Sequence, residues 1–338
     1  MRPPCIPAFM ICPLVFTLFL LPVQAPGGLS GIPVDTSFTT ASAWKAIRAK
    51  FPSAVPAIAT IDSSVHAQAD LVYASPGGRD LHLDIFRSAH SDSRSVPAVL
   101  IIHGGGWRSG NRQQEVPLAV ALAKAGYAAF TVEYRLSGEA HFPAALYDIK
   151  AAIRWIRAHY LTYAIDPDRI AVLGPSAGGT LALLAGLTGG DARFEGAEGT
   201  PGISSRVQAM ISIDGVPDLT TPAESGKDTV PTELSAGARW LGHTYRERPD
   251  LWRQASPVNY AGPDSPPVLF INSSIERFHA GRDTLLARLA AWKIPGTVHT
   301  LPDTPHPFWL FHPWFAPTVN WVREFLDTTF RKSDDERR

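Results

Sequence analysis

A single serine, Ser176, lies where the chain changes from an apolar run into a helical pattern. Residues 170–173 are typical of a buried strand, and a charge-free helical run begins at Thr180. A sharp strand–turn–helix holds a nucleophile exposed at the end of a sheet, but it brings the two backbones close together. Gly174 and Gly178, two positions either side of Ser176, provide the small residues that this requires. The pattern therefore predicts a serine that attacks a carbonyl carbon.

A second motif, H103-G-G-G-W107, fits the same chemistry. Three glycines allow backbone N–H groups to turn inward and stabilise the oxyanion of a tetrahedral intermediate. Removing one such donor costs about 3–4 kcal/mol of transition-state stabilisation. The start of the helix after Ser176 offers further free N–H groups and the positive end of a helix dipole. A glycine run followed later by a serine turn predicts an acyl-transfer site.

The elements that must position these residues alternate between strand and helix. We predict strands at 98–103, 128–133, 169–174, 207–213, 268–272 and 297–301. The alternation predicts an α/β fold with a mostly parallel sheet and helices on both faces, and a leading hairpin adds antiparallel strands at one edge. Two stretches, 189–205 and 220–259, interrupt the pattern and are predicted to lie over the strand ends as parts of a lid.

No repeat or boundary divides the core of this chain, so we expect one domain over residues 70–330. Residues 26–69 are predicted to be a linker with a short helix. The apolar run 6–23 and the Val23-Gln24-Ala25 sequence predict a signal peptide over residues 1–25. Pro26 fits a cleavage site poorly, so an uncleaved membrane anchor stays open. Both alternatives predict export, to the periplasm or out of the cell.

Composition excludes several classes of protein. The chain has 338 residues, 45% of them hydrophobic and 18% charged, which allows a large core and argues against disorder. Lys+Arg and Asp+Glu both number 31, so we expect neither a nucleic-acid partner nor a membrane partner for the mature domain. Cys5 and Cys12 both lie in the N-terminal segment, so a mature protein would contain no cysteine. No H-E-x-x-H motif is present, and no metal or cofactor is expected. The oligomeric state stays open.

Together the motifs resemble those of one superfamily. H103-G-G-G-W107, F142-P-A-A-L146 and G174-P-S-A-G-G179 are similar to motifs of the α/β-hydrolases. More narrowly, they resemble the hormone-sensitive-lipase-like esterases and the bacterial acetyl and feruloyl esterases that act on polysaccharides. The resemblance runs from about residue 70 to about residue 330. It implies an eight-stranded, mostly parallel sheet and a Ser–acid–His triad.

The resemblance also assigns site residues by position. Gly105, Gly106 and Ala177 would donate the oxyanion N–H groups. The base must come late in the chain, where His299, His306 and His312 are the candidates. His299 lies in a predicted strand and His312 lies among aromatic residues. We therefore predict His306, on a proline-rich loop at the family position, as the base for Ser176.

The triad acid is the point at which the sequence departs from the family. The family usually has His-Gly-x-x-Asp after its seventh strand, and here the stretch is N272-S-S-I-E276. We predict Glu276 as the acid because it stands where the aspartate would be, and glutamate can also orient an imidazole. Asp283 in the same loop and Asp214 at the end of a strand remain alternatives.

The predicted function is a secreted serine carboxylesterase that acts on a small-molecule or glycan ester, most simply a short acyl ester such as an acetyl ester of a carbohydrate. A serine peptidase of the same fold and a hydrolase-like binding protein without catalysis are the alternatives. Many aromatic residues follow His306 in the stretch 307–315. We expect Trp309, together with Trp107, to offer a flat face to a sugar ring or an aryl group at the cleft mouth.

Overall fold

The computed structural model describes residues 35–90, 95–226 and 234–336. The predicted signal peptide or anchor over residues 1–25, with Cys5 and Cys12, lies outside the described residues. Within the described ranges the chain forms ten strands and nine α-helices. The strands, numbered in chain order, are β1 (Val55–Pro56), β2 (Val65–Ala74), β3 (Leu81–Ser88), β4 (Val96–Ile102), β5 (Ala128–Val132), β6 (Ile165–Pro175), β7 (Ala209–Ile213), β8 (Val268–Ser273), β9 (Gly296–Leu301) and β10 (Phe311–His312).

Eight of these strands form one sheet in the order β2-β3-β5-β4-β6-β7-β8-β9. β3 is antiparallel to β2 and β5, and the remaining neighbours are parallel. The predicted eight-stranded, mostly parallel sheet with a leading hairpin is therefore confirmed. Because the six parallel strands all point the same way, the loops that follow them meet at one edge of the sheet.

Helices cover both faces of the sheet. They are α1 (Thr40–Ile47), α2 (Val116–Lys124), α3 (Ala144–Ala158), α4 (Ala177–Leu187), α5 (Pro222–Ser225), α6 (Ala236–Leu241), α7 (Pro249–Gln254), α8 (Arg282–Ala291) and α9 (Phe315–Glu336). Along β4, alternate side chains belong to two separate core clusters, because successive strand side chains point to opposite faces. One cluster includes buried residues of α3, α4 and α8, and the other includes residues of α2 and α9. No helix of the described residues is long and apolar enough to cross a membrane.

Residues 35–64 pack against the sheet domain rather than standing apart from it. The short helix predicted in this segment is α1, whose Ala43 and Ile47 are buried in the second core cluster. β1 pairs antiparallel with β10 near the end of the chain. Asp35 forms an isolated parallel bridge with Ser109. The N-terminal segment thus reaches the loop that follows β4.

The two interrupting stretches lie at different ends of the molecule. Residues 189–205 connect the C-terminal end of α4 to the start of β7, and Glu195 in this stretch pairs with Lys150 of α3 at 2.8 Å. This places the stretch at the amino ends of the strands, opposite Ser176, so the prediction that it forms part of a lid is wrong. A helix that follows a parallel strand returns to the start of the next one, and the loop after it must lie there. The second stretch, 220–259, carries α5, α6 and α7.

Candidate active site

Ser176 occupies the tight turn between β6 and α4. Its backbone has φ 53° and ψ −123°, a left-handed conformation that a non-glycine residue rarely adopts, and its N–H donates to the Ile213 carbonyl at 2.7 Å. A Cβ on Gly174 would lie 2.2 Å from the Gly178 backbone, and a Cβ on Gly178 would lie 2.0 Å from the Ile102 oxygen. Only glycine fits at either position. The turn therefore presents the Ser176 hydroxyl at the carboxyl edge of the sheet.

The structure brings His306 to this hydroxyl. His306 lies on the loop after β9, and its Nε2 is 2.9 Å from Ser176 Oγ. Its Nδ1 is 3.0 Å from Asp214 Oδ2. With the proton on Nδ1 donated to Asp214, Nε2 is free to accept from the serine hydroxyl. Asp214 has no exposed side-chain surface, whereas the His306 side chain is 26% exposed. The three groups form a continuous chain from a buried carboxylate to a half-buried serine.

The carboxylate that meets His306 is thus not the one we predicted. Glu276 is exposed and begins a short 3-10 helix, Glu276–His279, beyond the end of β8. Asp283 is also exposed and pairs with its neighbour Arg282 at 2.8 Å. Asp214 directly follows β7, with φ 49°, and reaches the imidazole from the strand end next to β6. The predicted contact between Glu276 and His306 is therefore wrong, and the alternative, Asp214, is the carboxylate that the imidazole meets.

The end of β8, which we expected to lead into the acid itself, instead donates hydrogen bonds to Asp214. Asp214 Oδ1 accepts from the Ser273 backbone N–H at 2.8 Å and from Asn272 Nδ2 at 3.3 Å. Asn272 is itself fixed, because its Oδ1 accepts from Arg282 Nη1 at 3.1 Å. Hydrogen bonds of this kind fix the orientation of the carboxylate. The other oxygen, Oδ2, is left to face His306.

Two aromatic rings contact the His306 imidazole. Phe278 stacks on it in parallel, with ring centroids 3.7 Å and planes 5° apart. Trp309 meets it edge to face, with centroids 5.2 Å apart and planes at 80°. A Cβ on Gly104 would lie 3.2 Å from Ser176 Cβ and 3.6 Å from the Trp309 ring, so this ring also lies beside the serine. Sequence reasoning did not single out Phe278, which carries no motif signal of its own.

The glycine loop after β4 has an unusual backbone. Gly105, Gly106 and Trp107 have φ values of 122°, 62° and 57° in succession. A Cβ on Gly105 would lie 2.1 Å from the Ser109 oxygen, so glycine is required there. Gly105 and Gly106 are half-buried and follow Gly104, which lies against Ser176, and Ala177 is the first residue of α4. Their role as oxyanion donors stays a prediction, and their placement is compatible with it.

The sequence of this chain matches a known protein family. The family model for BD-FAE matches residues 83–278, more than half of the chain. The chain belongs to the BD-FAE family. Its sheet order and its serine turn are those of an α/β-hydrolase fold.

Individual relatives of this BD-FAE member are esterases by name. The probable carboxylic ester hydrolase LipM of Mycobacterium tuberculosis is 34% identical over 237 residues, which cover 68% of this chain and 54% of LipM. This chain spans about half the length of the curated relatives that it matches first. Among solved structures, a truncated carbohydrate esterase from gut microbiota has a TM-score of 0.65 and 25% identity, covering 79% of this chain and 99% of the other. A bifunctional GH43-CE protein of Bacteroides eggerthii has a TM-score of 0.66 and 27% identity, covering 80% of this chain and 38% of the other.

The two tryptophans predicted at the cleft mouth are buried in this BD-FAE member. Trp107 is 6% exposed and Trp309 is 2% exposed. Trp107 stacks on Trp240 of α6, with centroids 4.4 Å and planes 4° apart. Trp240, in the second interrupting stretch, therefore covers the Trp107 ring. Neither Trp107 nor Trp309 offers a free face to a sugar. The prediction of Trp107 and Trp309 as exposed substrate-binding platforms is wrong, although Trp309 still contacts His306.

Two buried ionisable groups lie behind the site. His103 is enclosed, stacks on Tyr134, and donates its Nδ1–H to the Gly104 carbonyl oxygen at 2.8 Å. Burial lowers the pKa of His103 to about 4, so the imidazole is uncharged at neutral pH. Burial raises the pKa of Glu115 to about 8. The nearby Trp309 indole N–H lowers this pKa in part, but it does not reach hydrogen-bonding geometry, so desolvation dominates.

In the parts of the chain that the structure describes, no group of three His, Cys, Asp or Glu side chains is arranged to hold a metal ion.

Proposed function

We propose that this protein is a serine carboxylesterase that hydrolyses short-chain acyl esters with Ser176, His306 and Asp214. One observation carries the proposal, the hydrogen-bonded chain from Ser176 Oγ to His306 Nε2 at 2.9 Å and from His306 Nδ1 to Asp214 Oδ2 at 3.0 Å. A nucleophile, a base and an orienting carboxylate within hydrogen-bond reach define this reaction class. The names of its relatives support the same reaction.

Each group has a step in the proposed reaction. Ser176 Oγ attacks the ester carbonyl carbon while His306 Nε2 takes the hydroxyl proton. The carbonyl oxygen becomes an oxyanion facing the N–H groups of Gly105, Gly106 and Ala177. His306 then gives the proton to the departing alcohol oxygen, which leaves an acyl group on Ser176. Water, deprotonated by His306, attacks the acyl carbon. The bond to Ser176 Oγ then breaks, His306 returns the proton to Oγ, and the acid is released.

Asp214 contributes without changing its own protonation. While His306 carries two protons it is a cation, and the carboxylate at 3.0 Å stabilises that charge. The hydrogen bonds from Ser273 and Asn272 keep the Asp214 carboxylate aimed at Nδ1. Because Asp214 is fully buried, its attraction to the imidazolium is weakly screened by solvent.

We further propose that the substrate carries a short acyl group, most simply an acetyl group on a carbohydrate. The likeness to a carbohydrate esterase over 79% of this chain supports the carbohydrate part. Crowding beside the oxyanion loop supports the short acyl part. Trp240 of α6 stacks on Trp107, and a Cβ on Gly106 would lie only 3.2 Å from Ala236 Cβ. The buried tryptophans themselves lend no support to sugar stacking.

The substrate proposal is tested by comparing kcat/KM on several esters. We expect acetylated xylan or pectin fragments and 4-nitrophenyl acetate to be better substrates than a feruloyl ester or 4-nitrophenyl octanoate. A preference for the octanoate over the acetate would overturn the short-chain proposal and leave the esterase proposal standing. Absence of ester hydrolysis, together with no labelling of Ser176 by a serine-reactive phosphonate, would overturn both.

We also propose that the protein is exported from the cytoplasm. The apolar run 6–23 and the Val23-Gln24-Ala25 sequence before Pro26 support this. Cell fractionation should find the full-length protein in the periplasm or medium, or attached to the membrane. Leu18→Arg, which places a charge in the middle of the apolar run, should leave the protein in the cytoplasm. Recovery of the unaltered protein in the cytoplasm would contradict the proposal.

A further inference from the structure

The N-terminal segment contacts the loop that carries the proposed oxyanion donors. Asp35 Oδ2 accepts from Arg108 Nε at 2.8 Å, and the Asp35 backbone bridges to Ser109. Asp35 Oδ1 accepts from the Ser37 backbone N–H at 2.8 Å. Arg108 Nη2 also lies 3.4 Å from Ser37 Oγ. Both members of the Asp35–Arg108 ion pair are therefore held by more than one contact.

Arg108 follows the glycine loop, residues 104–107, whose backbone conformation is unfavourable and has to be stabilised by contacts. Gly105, Gly106 and Trp107 all have positive φ, and for Trp107 this conformation costs about 1–2 kcal/mol relative to ordinary backbone. Within the loop, the N–H groups of Arg108 and Ser109 donate to the Gly105 oxygen at 3.3 and 3.1 Å. These bonds link the Asp35 contact to the peptide unit between Gly105 and Gly106, which carries the Gly106 N–H. A shift of Arg108 would therefore move the Gly106 N–H, one of the proposed oxyanion donors.

The ion pair is suited to a local rather than a global effect. The Arg108 and Asp35 side chains are 41% and 32% exposed. Exposed ion pairs contribute little to the free energy of unfolding, typically about 0–1 kcal/mol. Although burial opposes it, the Ser37 hydrogen bonds and the charge of Arg108 lower the pKa of Asp35, so the carboxylate stays ionised at neutral pH. Loss of the pair should alter the loop without unfolding the protein.

We propose that Asp35 and Arg108 are positioning residues that fix the oxyanion loop from the N-terminal segment. This inference rests on the proposed function, since it concerns the same site. Residues 35–39 would then contribute to catalysis by positioning the glycine loop, rather than serve only as a linker before the sheet domain. Neither residue touches the serine, so both act through the backbone of Gly105 and Gly106.

The test compares Asp35→Ala with a matched control, Asp62→Ala. Asp62 also lies in the N-terminal segment and pairs with a half-exposed cation, Lys124, at 2.9 Å, but Lys124 lies on α2 and not on the glycine loop. We expect Asp35→Ala and Arg108→Ala each to lower kcat on 4-nitrophenyl acetate by about three- to tenfold, because misplacement of catalytic donors by a fraction of an ångström has this scale. KM and the melting temperature should stay close to wild type. The double variant, Asp35→Ala with Arg108→Ala, should have a kcat no lower than that of the less active single variant.

A second readout separates loop positioning from a merely structural role. A trifluoromethyl ketone forms a hemiketal with Ser176, and its oxyanion occupies the place of the transition-state oxygen. Its inhibition constant should weaken by the same factor as kcat/KM in Asp35→Ala and stay unchanged in Asp62→Ala. Should Asp35→Ala fail to fold, Arg108→Ala and Asp35→Asn give the same two readouts.

Three outcomes would overturn this inference. Wild-type kcat and inhibitor affinity in a folded Asp35→Ala protein would overturn it alone and leave the esterase proposal intact, as would equal losses in Asp62→Ala. A wild-type protein that neither hydrolyses esters nor reacts with a phosphonate would overturn both.

Discussion

The imidazole of His306 lies flat against the phenyl ring of Phe278, with centroids 3.7 Å and planes 5° apart. The ring plane of His306 has to satisfy Ser176 on one side and Asp214 on the other. Phe278 restricts rotation of this plane, since the stacked contact is lost when the imidazole turns. Arg277, which precedes Phe278, places its guanidinium 5.0 Å from the phenyl centroid and pairs with Glu224 of α5. The stack therefore links the second interrupting stretch to the proposed base.

Phe278→Leu should lower kcat/KM by about two- to tenfold, because an aromatic pair contributes about 0.5–1.5 kcal/mol. The matched control is Trp321→Leu, which removes a similar parallel stack on His299, with centroids 4.4 Å and planes 1° apart, outside the site. Steady-state kinetics, normalised to the number of serines titrated by a phosphonate, should show a loss only in Phe278→Leu. Equal losses in the two variants would mean that stacking acts through stability and not through His306.

Ser176→Ala should abolish esterase activity, with a fall in kcat of roughly 10⁶, the scale known for loss of a triad serine. The fold should be retained, since alanine fits the turn that Ser176 occupies. Ser205→Ala is the control, because Ser205 Oγ donates to Glu195 at 2.7 Å at the opposite end of the sheet. Hydrolysis of 4-nitrophenyl acetate and circular dichroism would be measured for both. Substantial activity in purified Ser176→Ala would end its assignment as the nucleophile.

Asp214→Asn should lower kcat by roughly 10⁴, because the amide favours the wrong imidazole tautomer and cannot stabilise the imidazolium. Glu276→Gln and Asp283→Asn should leave kcat near that of the wild type, since both side chains are exposed and neither contacts His306. All three variants exchange a carboxylate for an amide of the same size, so each serves as a control for the others. A larger loss in Glu276→Gln than in Asp214→Asn would restore the triad predicted from sequence.

Glu115 should make stability depend on pH. Its pKa is about 4.5 in an ordinary setting and is raised to about 8 by burial in the folded protein. Between these two values only the unfolded chain releases the proton, so the free energy of unfolding should fall, by up to a few kcal/mol, as pH rises from 4.5 to about 8.

Thermal unfolding at several pH values would check this dependence on Glu115. Glu115→Gln should flatten the decline, whereas the exposed Glu276→Gln should follow the wild type. The same decline in Glu115→Gln as in the wild type would mean that another group causes it.

The sequence by itself determined the features that depend on short stretches of chain. The α/β sheet followed from the alternation of apolar strands and helices. The placement of Ser176 followed from the spacing of Gly174 and Gly178, which is a local requirement of one tight turn. His306 followed from chain order, since few histidines come after the last strand of the large sheet. The structure places both side chains within hydrogen-bonding distance of each other.

Only the tertiary structure decided which carboxylate faces His306 and which tryptophans are exposed. β7 and β8 are adjacent parallel strands, so their loops end side by side, and both loops carry acidic residues. The choice depends on which side chain reaches the imidazole in three dimensions, and Asp214 does so while Glu276 turns outward. Likewise, Trp107 is buried by Trp240, which is far from it in the sequence. Burial is set by contacts between distant segments, and no spacing within either segment encodes it.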